Sequence, residues 1–216
     1  GPARSRDRAE ETGGGRGGPT SSQTAGQGTV EVTIPDGVIA GVVSTTGRSR
    51  AFLGVPYAKP PVGDLRLRPP QAPEPWGTRV LATTKYPPSC MQPAYLLGDH
   101  SEDCLFLDVW APSAPAPPGG YPVLFWIHGG CYVFGSPHDD STNGTHLAET
   151  EGVIVVAPAY RLGPLGYSGH DALRPRDPAG STGHYGTQDQ RLAMAWVQRS
   201  VKAFGGDPGR VTIFGQ

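Results

Sequence analysis

The 216-residue chain carries 18 Lys and Arg against 19 Asp and Glu, a formal net charge of −1. That balance excludes the basic footprint of a nucleic-acid or anionic-membrane binder, and no apolar run reaches the ~20 residues that cross a bilayer. Glycine and proline supply about a quarter of the residues, many in the amino-terminal tail and in loops, so the apolar runs between them are expected to form the core.

Residues 1–27 alternate charges with Gly, Ser and Thr, lack the apolar stretch of a signal peptide, and read as a disordered tail. Both ends read as places where a longer protein has been cut, processed or incompletely predicted. Thr29 to Val43 predicts a hairpin turning at Pro35-Asp36-Gly37. A proline-rich irregular stretch follows from Val55 to Gly77. Phe106-Leu107-Asp108-Val109-Trp110 alternates as a strand, and Pro122 to Ile127 is nearly all apolar, as for a strand covered on both faces. Thr145 to Glu151 is a short helix candidate, followed by a buried strand from Val153 to Ala157.

The clearest helix spans Gln188 to Phe204, with Ala193, Trp196, Val197, Ser200, Val201 and Phe204 on one apolar-to-small face. Thr187 with Gln190 fits a capping box, and Gly205-Gly206 stops the helix. Strand 211–214 comes last. Strands alternating with helices predict an α/β layered sheet.

Ile127-His128-Gly129-Gly130-Cys131-Tyr132 leaves a buried strand directly. Acyl transfer needs backbone N–H donors aimed at the oxygen that becomes negative, and glycines let the backbone approach it. An ordinary Gly-Gly turn is the alternative. Neither this loop nor Gly205-Gly206 leads into the G-K-[ST] of a phosphate loop. Val211-Thr212-Ile213-Phe214-Gly215-Gln216 is a strand followed by Gly-x, the lead-in to a G-x-S-x-G nucleophile elbow, whose serine belongs at position 217.

Of the three cysteines, Cys90, Cys104 and Cys131, one pair can form a disulfide and leave one free thiol. Asn143-Gly144-Thr145 is a glycosylation sequon on the only asparagine, and with a disulfide it favours the secretory pathway over cytosol. His138, Asp139, Asp140 and His146 share a polar loop without ligand-like spacing, so no metal or cofactor is expected. Trp126 and Trp196 read as core.

Glu102-Asp103-Cys104-Leu105-Phe106-Leu107-Asp108-Val109-Trp110-Ala111-Pro112 matches throughout the cysteine-containing signature of type-B carboxylesterases, the family that includes cholinesterases. Phe52 to Ala58, Pro60 to Gly63, Tyr160 to Gly163, Tyr185-Gly186 with Asp189-Gln190, and Phe204 to Pro208 resemble further family blocks in the right order. The resemblance covers residues 28–216.

It implies the amino-terminal part of an α/β-hydrolase fold, a mixed, mostly parallel sheet flanked by helices, and a Ser–Glu/Asp–His triad. Gly130 and Cys131 match the positions whose backbone N–H groups form the oxyanion hole, Cys131 replacing the commonest third glycine. The acidic and histidine triad members lie further along in the family, and His128 is structural. Cys90 and Cys104 match the first disulfide, and Arg66 and Glu102 a buried ion pair. Residues 91–103 include no tryptophan and Gln216 replaces the cholinesterase glutamate, which argues against a choline-ester specialist.

The implied activity is hydrolysis of small-molecule carboxylic esters by the parent protein. The 216-residue chain itself is expected to be inactive and to fold poorly, with strand 211–214 as an open edge. The alternative is a catalytically dead adhesion or scaffold domain like the neuroligins, with a protein partner. Serine at position 217 favours the enzyme.

Overall fold

The computed structural model describes residues 28–93, 98–138 and 140–216, and the expected tail at 1–27 lies outside them. Ten strands are present among these residues: β1 Thr29–Ile34, β2 Gly37–Val43, β3 Ser49–Pro56, β4 Gly77–Ala82, β5 Ser89–Cys90, β6 His100–Ser101, β7 Phe106–Pro112, β8 Tyr121–Ile127, β9 Ile154–Pro158 and β10 Gly206–Gly215. Three α-helices accompany them: α1 Thr145–Glu151, α2 Gly163–Tyr167 and α3 Tyr185–Ser200. None is long and apolar enough to cross a membrane.

The main sheet runs β1-β2-β3-β7-β9-β8-β10, with β4 alongside β2. It is mixed, as expected, but its parallel pairings are confined to β2–β4, β9–β8 and β8–β10. The amino-terminal side is antiparallel because short turns join β1, β2 and β3. Apart from the β2–β4 pair, parallel pairing appears where a helical crossover separates the strands, as α1 does between β8 and β9.

The hairpin forms in register, Ile34 opposite Gly37. Strands β3 and β4, unassigned from sequence, flank the proline-rich stretch; Val55 and Pro56 join β3 after a register shift against β7. β8 was expected to be covered on both faces. Instead Val123 and Phe125 are fully buried while Leu124 and Trp126 are only partly covered, so Trp126 packs at the margin of the smaller cluster around Trp110 and Val155.

α3 places all six residues of its predicted stripe in the core, from Ala193 to Phe204. Phe204 meets Phe52 edge to face at 5.0 Å and lies 6.0 Å from the Trp196 ring. Each large apolar side chain buried this way contributes about 1.5–3 kcal/mol. Both helix boundaries differ from the sequence reading. α3 begins at Tyr185 from a left-handed His184, φ +55°, so Thr187 lies inside the first turn and the capping box does not form. Its last turn, Val201–Phe204, tightens to a 3-10 helix closed by left-handed Gly205, φ +91°.

Candidate active site

β8 and β10 are parallel neighbours with Gly215 opposite Ile127, so their carboxyl ends release the His128-Gly129-Gly130-Cys131 loop and Gly215-Gln216 side by side. Ligand sites in parallel sheets form at such strand ends. Gln216 N–H donates to Ile127 O at 3.3 Å. A Cβ on Gly215 would stand 2.3 Å from Ile127 O, and one on Gly129 would stand 2.5 Å from Gln216 Oε1. The two segments touch because both are glycine at the point of approach.

Beyond Gly129 the chain reverses. Gly130, φ +109°, accepts from Val133 N–H and Phe134 N–H at 3.0 and 3.1 Å. Cys131 and Tyr132 are left-handed, φ +55° and +62°, a conformation costing about 1–2 kcal/mol per non-glycine residue. Gly163 N–H donates to Tyr132 O at 2.7 Å and holds the strained pair. Among the described residues no acceptor takes the N–H of Gly130 or Cys131. The Cys131 thiol is free and exposed, and Tyr132, Val133 and Phe134 stand open beside it.

His128 anchors the loop. It is 3 % accessible, stacks on Tyr160 at 4.2 Å, and its backbone oxygen accepts from Tyr160 Oη at 2.7 Å. Burial pushes its imidazole down to about 4, against the opposing pull of the Gly129 carbonyl. The ring is therefore neutral at pH 7 and cannot serve as a base of ordinary strength.

An unfolded chain takes up the proton near pH 6.5 and the folded one near 4, so stability falls as pH drops across that window, by on the order of 3 kcal/mol. Urea titrations at pH 7 and 4.5 should show this loss, and His128→Gln should flatten it. An unchanged slope would remove His128 from the acid response.

A sequence model of the carboxylesterase family matches residues 28–216. This chain belongs to the carboxylesterase family. It is similar to fumonisin B1 esterase of Sphingopyxis macrogoltabida, 41 % identical over 204 residues, which covers 92 % of this chain and 36 % of that protein. Liver carboxylesterase of Sus scrofa is 44 % identical over 181 residues, 76 % of this chain and 30 % of that one. A solved PNB esterase superposes with a TM-score of 0.77 at 39 % identity, over 86 % of this chain and 37 % of the other. The chain thus spans about a third of the length of these relatives.

Cys90 is joined to Cys104, and both are buried. Arg66 pairs with Glu102 through two hydrogen bonds of 2.5 and 2.7 Å. The pair is not buried as expected: the side chains remain 47 % and 27 % accessible, because the arginine follows an exposed 3-10 turn at Gly63–Leu65.

The buried ion pair is elsewhere. Arg161 and Asp189, 4 % and 0 % accessible, join through Nε to Oδ2 at 2.8 Å and Nη2 to Oδ1 at 2.7 Å. Arg161 N–H also donates to Asp189 Oδ2 at 3.0 Å, and its Nη1 to Arg68 O at 2.8 Å. The guanidinium lies 5.4 Å from the centre of the Tyr185 ring. Burial raises the Asp189 carboxyl while Arg161 pulls it back down. This pair locks the segment after β9 to α3, two residues before Gly163 reaches Tyr132.

A second buried pair also went unread. His138 Nδ1 meets Asp108 Oδ2 at 2.9 Å with both side chains almost wholly enclosed, and Asp108 Oδ1 accepts from Gly54 N–H. An aspartate inside an apolar strand was the available signal, since such a group needs a partner. Asp139 lies outside the described residues, and among those described no three His, Cys, Asp or Glu side chains converge as a metal site.

Proposed function

We propose that this carboxylesterase-family protein hydrolyses carboxylic esters at the carboxyl ends of β8 and β10. The observation that carries the reading is the pair of uncommitted N–H groups on Gly130 and Cys131, in a loop packed against Gly215-Gln216. The residue following Gln216 is assigned as the nucleophilic serine. Its Oγ attacks the ester carbonyl carbon, its proton passes to a histidine base, and the two N–H groups hold the resulting oxyanion. Collapse expels the alcohol, which takes that proton; water then repeats the sequence on the acyl-serine and releases the acid.

Neither nearby histidine serves as the base. His128 is neutral and enclosed, and His138 is sealed against Asp108. The resemblance implies a histidine base from a later part of the family's sequence. Tyr132, Val133 and Phe134 present an exposed apolar surface next to these donors, which suits an uncharged ester. An isolated 1–216 polypeptide supplies only the oxyanion side, so its hydrolysis of p-nitrophenyl acetate is expected at background. The full-length protein should turn this ester over; failure to do so, with glycine following Gln216, would favour the adhesion reading.

The secretory pathway is proposed as the compartment, with an N-glycan on Asn143. This side chain is exposed, and its Oδ1 accepts from Thr145 N–H at 2.9 Å, leaving Nδ2 uncommitted. Glycosidase treatment of the protein from secretory cells should shift its mass, and Asn143→Gln should abolish the shift. Unshifted wild type would reject the assignment.

A further inference from the structure

Gln92 lies outside the oxyanion loop, two residues past Cys90, yet its amide grips the loop's return limb. Oε1 accepts from Gly135 N–H at 3.0 Å, and Nε2 donates to Gly135 O at 3.2 Å. Nε2 also donates to Cys90 O at 3.2 Å. The two-way pairing sets the amide's orientation, because the Gly135 N–H requires an oxygen and its carbonyl requires an N–H.

Gly135 in turn backs onto the stem of the loop. At φ +118°, a Cβ there would stand 2.4 Å from Gly129 O and 2.5 Å from His128 Nδ1. Between stem and return limb, the backbone bonds seen among the described residues are those of Val133 and Phe134 to Gly130 O, with Gly163 N–H on Tyr132 O. One hydroxyl contact, Ser89 Oγ to Ser136 Oγ at 2.8 Å, runs beside Gln92. Behind Gln92, the disulfide ties Cys90 to Cys104, at the root of core strand β7. The Gly130-Cys131 segment is thus connected through Gly135 and Gln92 to a covalent anchor.

We propose that Gln92 is a positioning residue for the oxyanion loop and that the Cys90–Cys104 disulfide acts on the rate of ester hydrolysis through it. The rate readout rests on the esterase reading above; the grip on the loop does not. Loss of the grip lets the Gly130 and Cys131 donors drift, and a misplacement of about 1 Å can cost on the order of 100-fold in rate.

The test uses the full-length protein as wild type, Gln92→Leu, Gln92→Glu and the Cys90→Ser/Cys104→Ser pair. With p-nitrophenyl acetate, Gln92→Leu is expected to lower kcat by about 10- to 100-fold with KM within about twofold, the split left by a transition-state interaction. Gln92→Glu keeps an acceptor for Gly135 N–H but sets a carboxylate against Gly135 O, so its kcat falls as well. Removing the disulfide lowers kcat in the same direction, and adding Gln92→Leu to that variant lowers it little further.

Amide hydrogen exchange over residues 129–135 is the activity-free readout, expected to quicken in Gln92→Leu. Unchanged exchange in that variant overturns the inference. So does a lowered Tm with kcat per folded molecule unchanged, the mark of a structural role alone. A wild-type protein that hydrolyses no ester defeats only the esterase reading, and the exchange comparison then decides for Gln92.

Discussion

Asp189→Ala in the full-length protein is expected to remove about 3–5 kcal/mol of unfolding free energy. The aspartate is fully buried and satisfies three donors of Arg161: the backbone N–H, Nε and Nη2. Truncation leaves an enclosed guanidinium with only Arg68 O and the Tyr185 face. Asn at 189 keeps the shape and two acceptor directions but loses the charge, so it should cost less than Ala. Replacing both partners, as Arg161→Met with Asp189→Leu, should recover much of the loss, since two apolar groups leave no orphaned charge. Denaturant titration of the four proteins reads these differences; a loss below about 1 kcal/mol in Asp189→Ala would mean that water reaches the pair. Gly163 follows Arg161 closely and its N–H holds Tyr132 O, so the same variant should also loosen the loop from Gly129 to Gly135.

Gly130→Ala is the second large effect, this time on rate. A Cβ there would lie 1.9 Å from Phe134 O, and the residue sits at φ +109°, where an L side chain is strained in any case. The loop must open, which separates its N–H groups from the end of β10. Loss of one oxyanion donor costs about 10²–10³ in kcat, and Gly130→Ala in the full-length protein should fall in that range with little change in KM. Cys131→Gly provides the contrast. It relieves a left-handed residue and retains the N–H, so kcat should stay within about threefold of wild type.

These effects show what a one-dimensional reading reaches. The α3 stripe was legible because its helical period and its burial coincide, and the hairpin because its turn residues sit between alternating segments. The ends of β8 and β10 were legible as strand-then-glycine segments. Their contact was not, since only the parallel register of β8 with β10 brings Gly215 opposite Ile127.

The misses share a cause: what decides each lies in the tertiary fold rather than in the local sequence. Arg161 and Asp189 each stood in a recognised block, but nothing local marks them as a pair. Arg66 and Glu102 were assigned the buried role because the resemblance supplied a partner but no depth. Thr187 and Gln190 satisfied a capping pattern that tertiary packing overrode. Gly186 must enter α3 where its missing Cβ avoids Arg161 O, 2.3 Å from where that Cβ would be, and this draws the helix start back to Tyr185.

The central claim is that the β8 loop and the end of β10 form one acyl-transfer site. Labelling the full-length protein with a fluorophosphonate ester, followed by peptide mass mapping, tests it most directly. The site predicts one adduct, on the residue following Gln216, with hydrolysis of p-nitrophenyl acetate lost in step and labelling slowed at least about tenfold by Gly130→Ala. An adduct elsewhere, or labelling at an equal rate in wild type and Gly130→Ala, would contradict it.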